Sequence, residues 1–322
     1  MFKPAAARLF TTTLLAALAF GAHGAEWPNH PITLIAPFTP GGTTDIVARS
    51  IAQQLQAQLG QTVIVENKPG AGGTLGASLV ARAKPDGYTL LLGNVGHTAG
   101  GVLYKNLNYD FERDLTQITT VANVPNVLVV NKNLPVSNVR ELLAYAKSHP
   151  GEANYGSAGI GSTQHLSAEL LKKQTGMDAM HVPYKGAAPM MTDLIGGRVT
   201  FALDSAASAA SQISGGSVKP LAVTGKARTK FLPDIPTLDE SGVPGYEMTT
   251  WYSLQAPKDL PAPIKEKIYQ AVVASMKTPS MQKTLENMAA DPGGMPPDQF
   301  AEFVHQETKR WTDLASGWDA NQ

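Results

Sequence analysis

Short, nearly continuous apolar runs alternate with amphipathic stretches along most of the chain. Ile32–Ala36 reads as a strand, Asp45–Leu59 as a helix closed by Gly60, and Thr62–Glu66 as a second strand. The plan repeats at once. Pro69-Gly70-Ala71-Gly72-Gly73 leads to a helix from Thr74 to Ala83, Pro85-Asp86-Gly87 makes a turn, and Tyr88–Leu92 is a third strand. Strands that are apolar on both faces and joined by helices imply a mainly parallel sheet covered on both sides, an α/β class.

The pattern restarts at Val127, with strand Val127–Val130, helix Val139–Ser148, strand Ala153–Gly156 and a helix running to Gln174. Strand His181–Tyr184, helix Ala187–Ile195, strand Val199–Asp204 and the small-residue helix Ser205–Gln212 continue it. After Trp251-Tyr252-Ser253-Leu254 only helices are expected: Pro263–Met276, Ser280–Met288 and Pro297–Ala315, with no strand between them. They should return to cover the first half, with Met276, Met281 and Met288 filling its core. Trp311 and Trp318 should pack the tail. The expected division is therefore residues 26–125 plus 249–322 as one lobe and 126–248 as the other.

Two loops interrupt these patterns in the same way. Pro37-Phe38-Thr39-Pro40-Gly41-Gly42-Thr43-Thr44-Asp45 and Ser157-Ala158-Gly159-Ile160-Gly161-Ser162 each join a strand to the start of a helix. Glycines leave backbone N–H groups uncovered, and the first turn of a helix offers unpaired donors at the positive end of its dipole. Thr43 or Thr44 can cap the first helix, and Asp45 is placed to orient the loop. Both cradles fall beyond the carboxyl ends of strands, where open α/β sheets hold ligands. Neither contains arginine, so recognition should run through amides and hydroxyls. Asn94 and His97 stand at the end of the Tyr88–Leu92 strand, within reach of the same cleft. Asp204-Ser205 reads either as a helix N-cap or as a cleft acid; an acid there would favour a ligand carrying an ammonium or hydroxyl group.

Residues 1–25 begin with Lys3 and Arg8, run apolar from Leu9 to Phe20, and end Gly21-Ala22-His23-Gly24-Ala25. That is the pattern of a cleavable secretory signal, with the cut after Gly24 or Ala25. The chain has no cysteine, so in an oxidising compartment its stability must come from an ordinary core, which about 295 residues can build. With 26 basic and 26 acidic residues and no block of like charge, nucleic acid and anionic membranes are poor partners. No cofactor is implied, and a monomer is expected.

Enzyme motifs come close and fail. Gly70-x-Gly72-x-x-x-Gly76 misplaces the third glycine of a dinucleotide fingerprint, and no acidic residue follows Leu91-Leu92-Gly93-Asn94 to hold a ribose. Ser157 lacks the glycine two residues earlier that a nucleophile elbow needs, since Tyr155 stands there. His165 then serves packing or a hydrogen bond at the cleft floor. The seven histidines are scattered without metal-ligand spacing. An exported oxidoreductase or hydrolase would lack an intact constellation.

Across nearly its whole length the chain resembles the Bug, or TctC, family of periplasmic solute-binding proteins associated with tripartite tricarboxylate transporters. The resemblance rests on Trp27-Pro28, Pro31-Ile32, Pro37-Phe38 through Asp45, and Val65-Glu66-Asn67-Lys68-Pro69-Gly70-Ala71-Gly72-Gly73. Pro85-Asp86-Gly87-Tyr88-Thr89-Leu90, Tyr155-Gly156-Ser157 through Ser162, Val182-Pro183-Tyr184-Lys185-Gly186 and Pro233-Asp234-Ile235-Pro236-Thr237 continue it. It implies a type II, flytrap-like protein of a Gram-negative periplasm. Such a protein holds a small carboxylate between two lobes and passes it to a membrane permease or, in the alternative, to a sensor kinase.

Carried onto this chain, the family's contacts fall on Phe38, Thr39, Gly41, Gly42, Thr43 and Thr44, and on Ser157, Ala158, Gly159, Gly161 and Ser162. His165 and the Asp204-Ser205 turn are further candidates. The first loop reads Thr39-Pro40 where many relatives have small residues, so family ligands do not transfer directly. Aliphatic diacids, acidic amino acids and terephthalate-like aromatic diacids all stay open, with Phe38 and Tyr184 either flanking a ring or simply packing.

Overall fold

The computed structural model describes residues 27–315 and Trp318; the expected leader lies outside the described residues. The first lobe opens with β1 (Ile32–Ala36), α1 (Thr43–Leu59), β2 (Val63–Asn67), α2 (Thr74–Ala81), β3 (Thr89–Asn94) and the short α3 (Gly100–Leu103). A 17-residue strand follows, β4 (Leu115–Asn131), and then α4 (Val139–Ser148). The second lobe contains β5 (Asn154–Ser157), α5 (Thr163–Thr175), β6 (Met180–Pro183), α6 (Ala187–Ile195), β7 (Phe201–Ser205), α7 (Ala206–Ser214) and β8 (Val218–Val223). The chain returns through β9 (Thr249–Pro257), α8 (Ala262–Met276), α9 (Pro279–Asn287), β10 (Asp291–Pro292) and α10 (Pro297–Ala315).

The strands form one connected sheet in the order β2-β1-β3-β9-β4-β7-β5-β6, with β8 and β10 also paired to β4. The outer strands are parallel, as the alternation of strands and helices predicts: β1 with β2 and β3, β5 with β6 and β7. The middle is antiparallel, because β9 pairs with both β3 and β4, and β4 pairs with β7 and β8. From Leu115 to Pro125, β4 lies beside β9; from Asn126 to Asn131 it lies between β7 and β8. One strand therefore serves both lobes.

Apolar faces explain the layers. Val47, Ala48, Ile51 and Leu55 of α1 share a buried cluster with Leu34 of β1 and with Ile268, Val272 and Met276 of α8. Met281 and Met288 complete that cluster, as expected for core filling. Trp311 of α10 is fully buried and packs the tail.

Three sequence expectations need correction. Helix α1 begins at Thr43, two residues before Asp45, with Gly42 as its N-cap and no side-chain cap bond, so neither Thr43 nor Thr44 is the cap. The final segment is not free of strands, because β10 intervenes between α9 and α10 and pairs with Ala122 and Asn123. The strand at Val127 is only the second half of β4. Its first half carries Gln117, Thr119, Thr120 and Asn123 and has register shifts at Gln117/Thr119 and Thr120/Ala122, which break the alternation a strand search relies on.

Candidate functional site

The first cradle is the loop from β1 into α1. Asp45 braces it from below: Oδ2 accepts from the Gly41 N–H at 3.1 Å, and Oδ1 accepts from Asn67 Nδ2 at 3.0 Å. The same Asn67 amide donates to the Phe38 carbonyl at 3.0 Å, and Arg49 pairs with Asp45 at 3.0 Å. Burial alone would push the Asp45 carboxyl up. Its bonds from Arg49, Asn67 and the Gly41 amide outweigh that and hold it below the usual carboxylate value.

The second cradle lies between β5 and α5. Ser162 caps α5 by accepting from the His165 N–H. His165 Nδ1 accepts from the Gly161 N–H at 3.2 Å, and Ser157 Oγ meets His181 Nε2 at 2.6 Å. Beneath the loop, the rings of His165 and His181 stack at 4.4 Å, and His181 stacks on Tyr155 at 4.8 Å. Burial lowers the pKa of His165 to about 4 and of His181 to about 3, so both rings are neutral supports at neutral pH.

The two cradles meet across a cavity of about 30 Å³, lined by Phe38, Thr39, Gly42, Thr43, Thr44, Asn94, Asn126, Ala158, Thr163, Gln164, Ala187, Ser205, Thr250 and Tyr252. No ionisable side chain other than the Tyr252 phenol is in that lining, and burial pushes this phenol's pKa well up, so it remains a donor. Four helices begin at the cavity wall: α1 behind Gly42, α5 behind Ser162, α6 behind Gly186 and α7 behind Ser205. Those behind Gly42 and Gly186 have no side-chain cap, which leaves first-turn N–H groups open to an anion.

The lobes also touch directly. Thr43 Oγ1 hydrogen-bonds Ser205 Oγ, and Tyr104 Oη donates to the Ile160 carbonyl at 2.6 Å. Gly72 lies so close to that carbonyl that a Cβ would overlap it, and Gly186 lies equally close to Thr39 Oγ1. A cavity of about 30 Å³ holds on the order of two waters, so admitting an organic acid requires the walls to part.

Of the residues read from sequence, Phe38, Thr39, Gly42, Thr43, Thr44, Asn94, Ala158 and Ser205 line the cavity. Gly41, Ser157, Gly159, Gly161 and Ser162 shape its loops without lining it, and His165 supports one of them from beneath. His97 is 1 % exposed and turned into the lobe: its Nδ1 accepts from the Asn94 N–H at 3.1 Å, and its ring stacks on Phe111. Asp204 stands behind two lining residues, Gln164 and Ser205. Tyr184 is engaged with Asp193 at 2.9 Å and is outside the lining. Among the lining residues not anticipated, Thr163 and Gln164 directly follow a recognised cradle, whereas Asn126, Thr250 and Tyr252 sit on central strands whose mixed polarity gave no signal. Among the described residues, no group of three or more His, Cys, Asp or Glu is placed to hold a metal ion.

The model of the tripartite tricarboxylate transporter family receptor matches residues 47–317. The chain belongs to the Bug/TctC family. A relative from Agrobacterium vitis, a UPF0065 protein of the TAR-I ttuE-ttuC' intergenic region, is 41% identical over 267 residues, covering 83% of this chain and 77% of that one. BugT of Bordetella pertussis is 33% identical, covering 89% of each. Among solved structures, Rpa4515 of R. palustris with adipate is similar at TM-score 0.87 and 40% identity, covering 90% of this chain and 97% of that one. MatC of Rhodopseudomonas palustris with bound malate reaches TM-score 0.85 at 34% identity, covering 89% and 99%. The Bug/TctC chain described here shares the two-lobed α/β fold of these solved structures.

Proposed function

We propose that this protein is a periplasmic solute-binding protein that captures a small carboxylate between its lobes and delivers it to a tripartite tricarboxylate-type permease, without chemical turnover. The observation that carries the reading is the inter-lobe cavity: four helix N-termini and neutral hydroxyl and amide groups line it, with no competing charged side chain. Each terminus contributes about 0.3–1 kcal/mol toward an anion, so only a ligand touching several at once is held well. A molecule bridging both lobes also favours the closed form, because the closed form alone offers both walls.

The lobes in this reading are residues 26–125 with 249–322, and 126–248, following a leader of residues 1–25. The contacts are Phe38, Thr39, Gly42, Thr43, Thr44 and Asn94 on one wall and Ala158, Thr163, Gln164 and Ser205 on the other, with Asn126, Thr250 and Tyr252 at the floor. Related proteins with adipate and with malate support a carboxylate as the ligand class. Thermal shift of the secreted, purified protein against aliphatic, aromatic and amino-acid carboxylates, followed by calorimetry, tests the reading. A saturable hit with no consumption of ligand supports it. No response to any carboxylate overturns it.

A further inference from the structure

Asp204 closes β7 opposite Val127 of β4 and is fully buried. Its Oδ1 accepts from the Ser205 N–H at 2.9 Å and from Gln164 Nε2 at 3.0 Å; its Oδ2 has no hydrogen-bond partner. Burial pushes its pKa up. The nearby Ser208 hydroxyl offsets part of that rise, and so do the Gln164 and Ser205 bonds; no cation contributes. The capping role is already filled, because Ser205 Oγ accepts from the Ser208 N–H and caps α7. Gln164, Ser205 and Tyr252 all line the cavity, and the charge of Asp204 adds to the burial that keeps the Tyr252 phenol protonated. An acceptor oxygen without a hydrogen-bond partner therefore stands directly behind the cavity wall.

We propose that Asp204 is the specificity-determining acceptor of this site, taking a hydrogen bond at Oδ2 from a hydroxyl or ammonium group carried by the carboxylate ligand. The proposal rests on the carboxylate-binding reading above. A ligand with such a donor satisfies the buried oxygen. A plain diacid leaves it unpaired, or sets a second carboxylate against it, and like charges at close range in a buried site oppose each other.

Matched acids test this by calorimetry on the purified protein: succinate against malate and aspartate, glutarate against glutamate, for wild type and Asp204→Asn. Asparagine keeps an acceptor for Gln164 and the Ser205 N–H while removing the charged Oδ2. The expected result is that an acid with a hydroxyl or ammonium binds about tenfold or more tighter than its plain counterpart. In Asp204→Asn the difference should fall to within about threefold, with the plain acid bound no more weakly than by wild type. Equal affinity of wild type for the matched acids overturns the proposal, as does a preference that survives in Asp204→Asn. If the variant does not fold, the wild-type comparison alone decides. Failure of every acid to bind instead overturns the parent reading, and this one with it.

Discussion

Asn126 joins β4 to β9, to α5 and to the residue that follows β8, at the point where β4 passes from one lobe to the other. Its side chain accepts from Thr250 Oγ1 at 3.0 Å and donates to Ser167 Oγ at 3.2 Å, while its backbone N–H and C=O both bond Thr224. Asn126→Ala strips two buried hydroxyls of partners and should cost about 1–3 kcal/mol of stability, measured by urea unfolding. The histidines give a pH prediction. His97, His165 and His181 have folded pKa values lowered by burial to about 4, about 4 and about 3, from an ordinary 6.5. The unfolded chain binds more protons in that interval, so the stability these residues contribute is present above pH 6.5 and is lost as pH falls toward 4. Asp204, shifted upward, acts with the opposite sign and blunts the loss. A melting-temperature series should fall across this interval, and His181→Gln should flatten its slope; an unchanged slope would show that His181 does not take part. At this scale the cradles were legible because glycine-rich loops between a strand and a helix carry their own signature. The direction of His97 was not, since the turn that folds its ring back onto Asn94 depends on Phe111 behind it.

Among the elements, the closed arrangement depends on backbone meeting backbone. Gly72 sits at φ 60° in the turn before α2, against the Ile160 carbonyl of the opposite lobe. Gly72→Ala would set a methyl group into a backbone oxygen that cannot swing aside. It should bind ligand about tenfold or more weakly by calorimetry while circular dichroism shows a folded protein. Tyr104→Phe removes the 2.6 Å bond to the same carbonyl and should weaken binding more mildly. Near-wild-type affinity in both would mean that this contact takes no part in closure. Strands β1 and β3 could be read because their apolar runs are buried on both faces. Strands β4 and β9 could not: Gln117, Ser253 and Gln255 are buried polar residues that satisfy one another, with Gln255 Nε2 donating to Gln117 Oε1 at 3.2 Å and to Ser253 Oγ at 2.6 Å. Such reciprocity appears only once both strands are side by side. The missing site residues Asn126, Thr250 and Tyr252 followed from the same gap.

For the whole molecule, capture of a ligand between the lobes, as proposed, implies a change of shape on binding. Small-angle scattering should show the radius of gyration falling when a saturating ligand is added, and no change would argue against lobe closure. Because no charged side chain lines the cavity, affinity should vary little between low and moderate salt once the ligand's own activity is corrected. The same strand that hides from sequence patterns also sets the unit of folding. Pulled apart as a fragment, either lobe would carry only half of β4, cut where the strand passes from its pairing with β9 to its pairing with β7 and β8. The two lobes should therefore melt as one calorimetric transition, and neither can be exchanged with a relative as an independent module: a chimera would have to graft the central strand pair along with it.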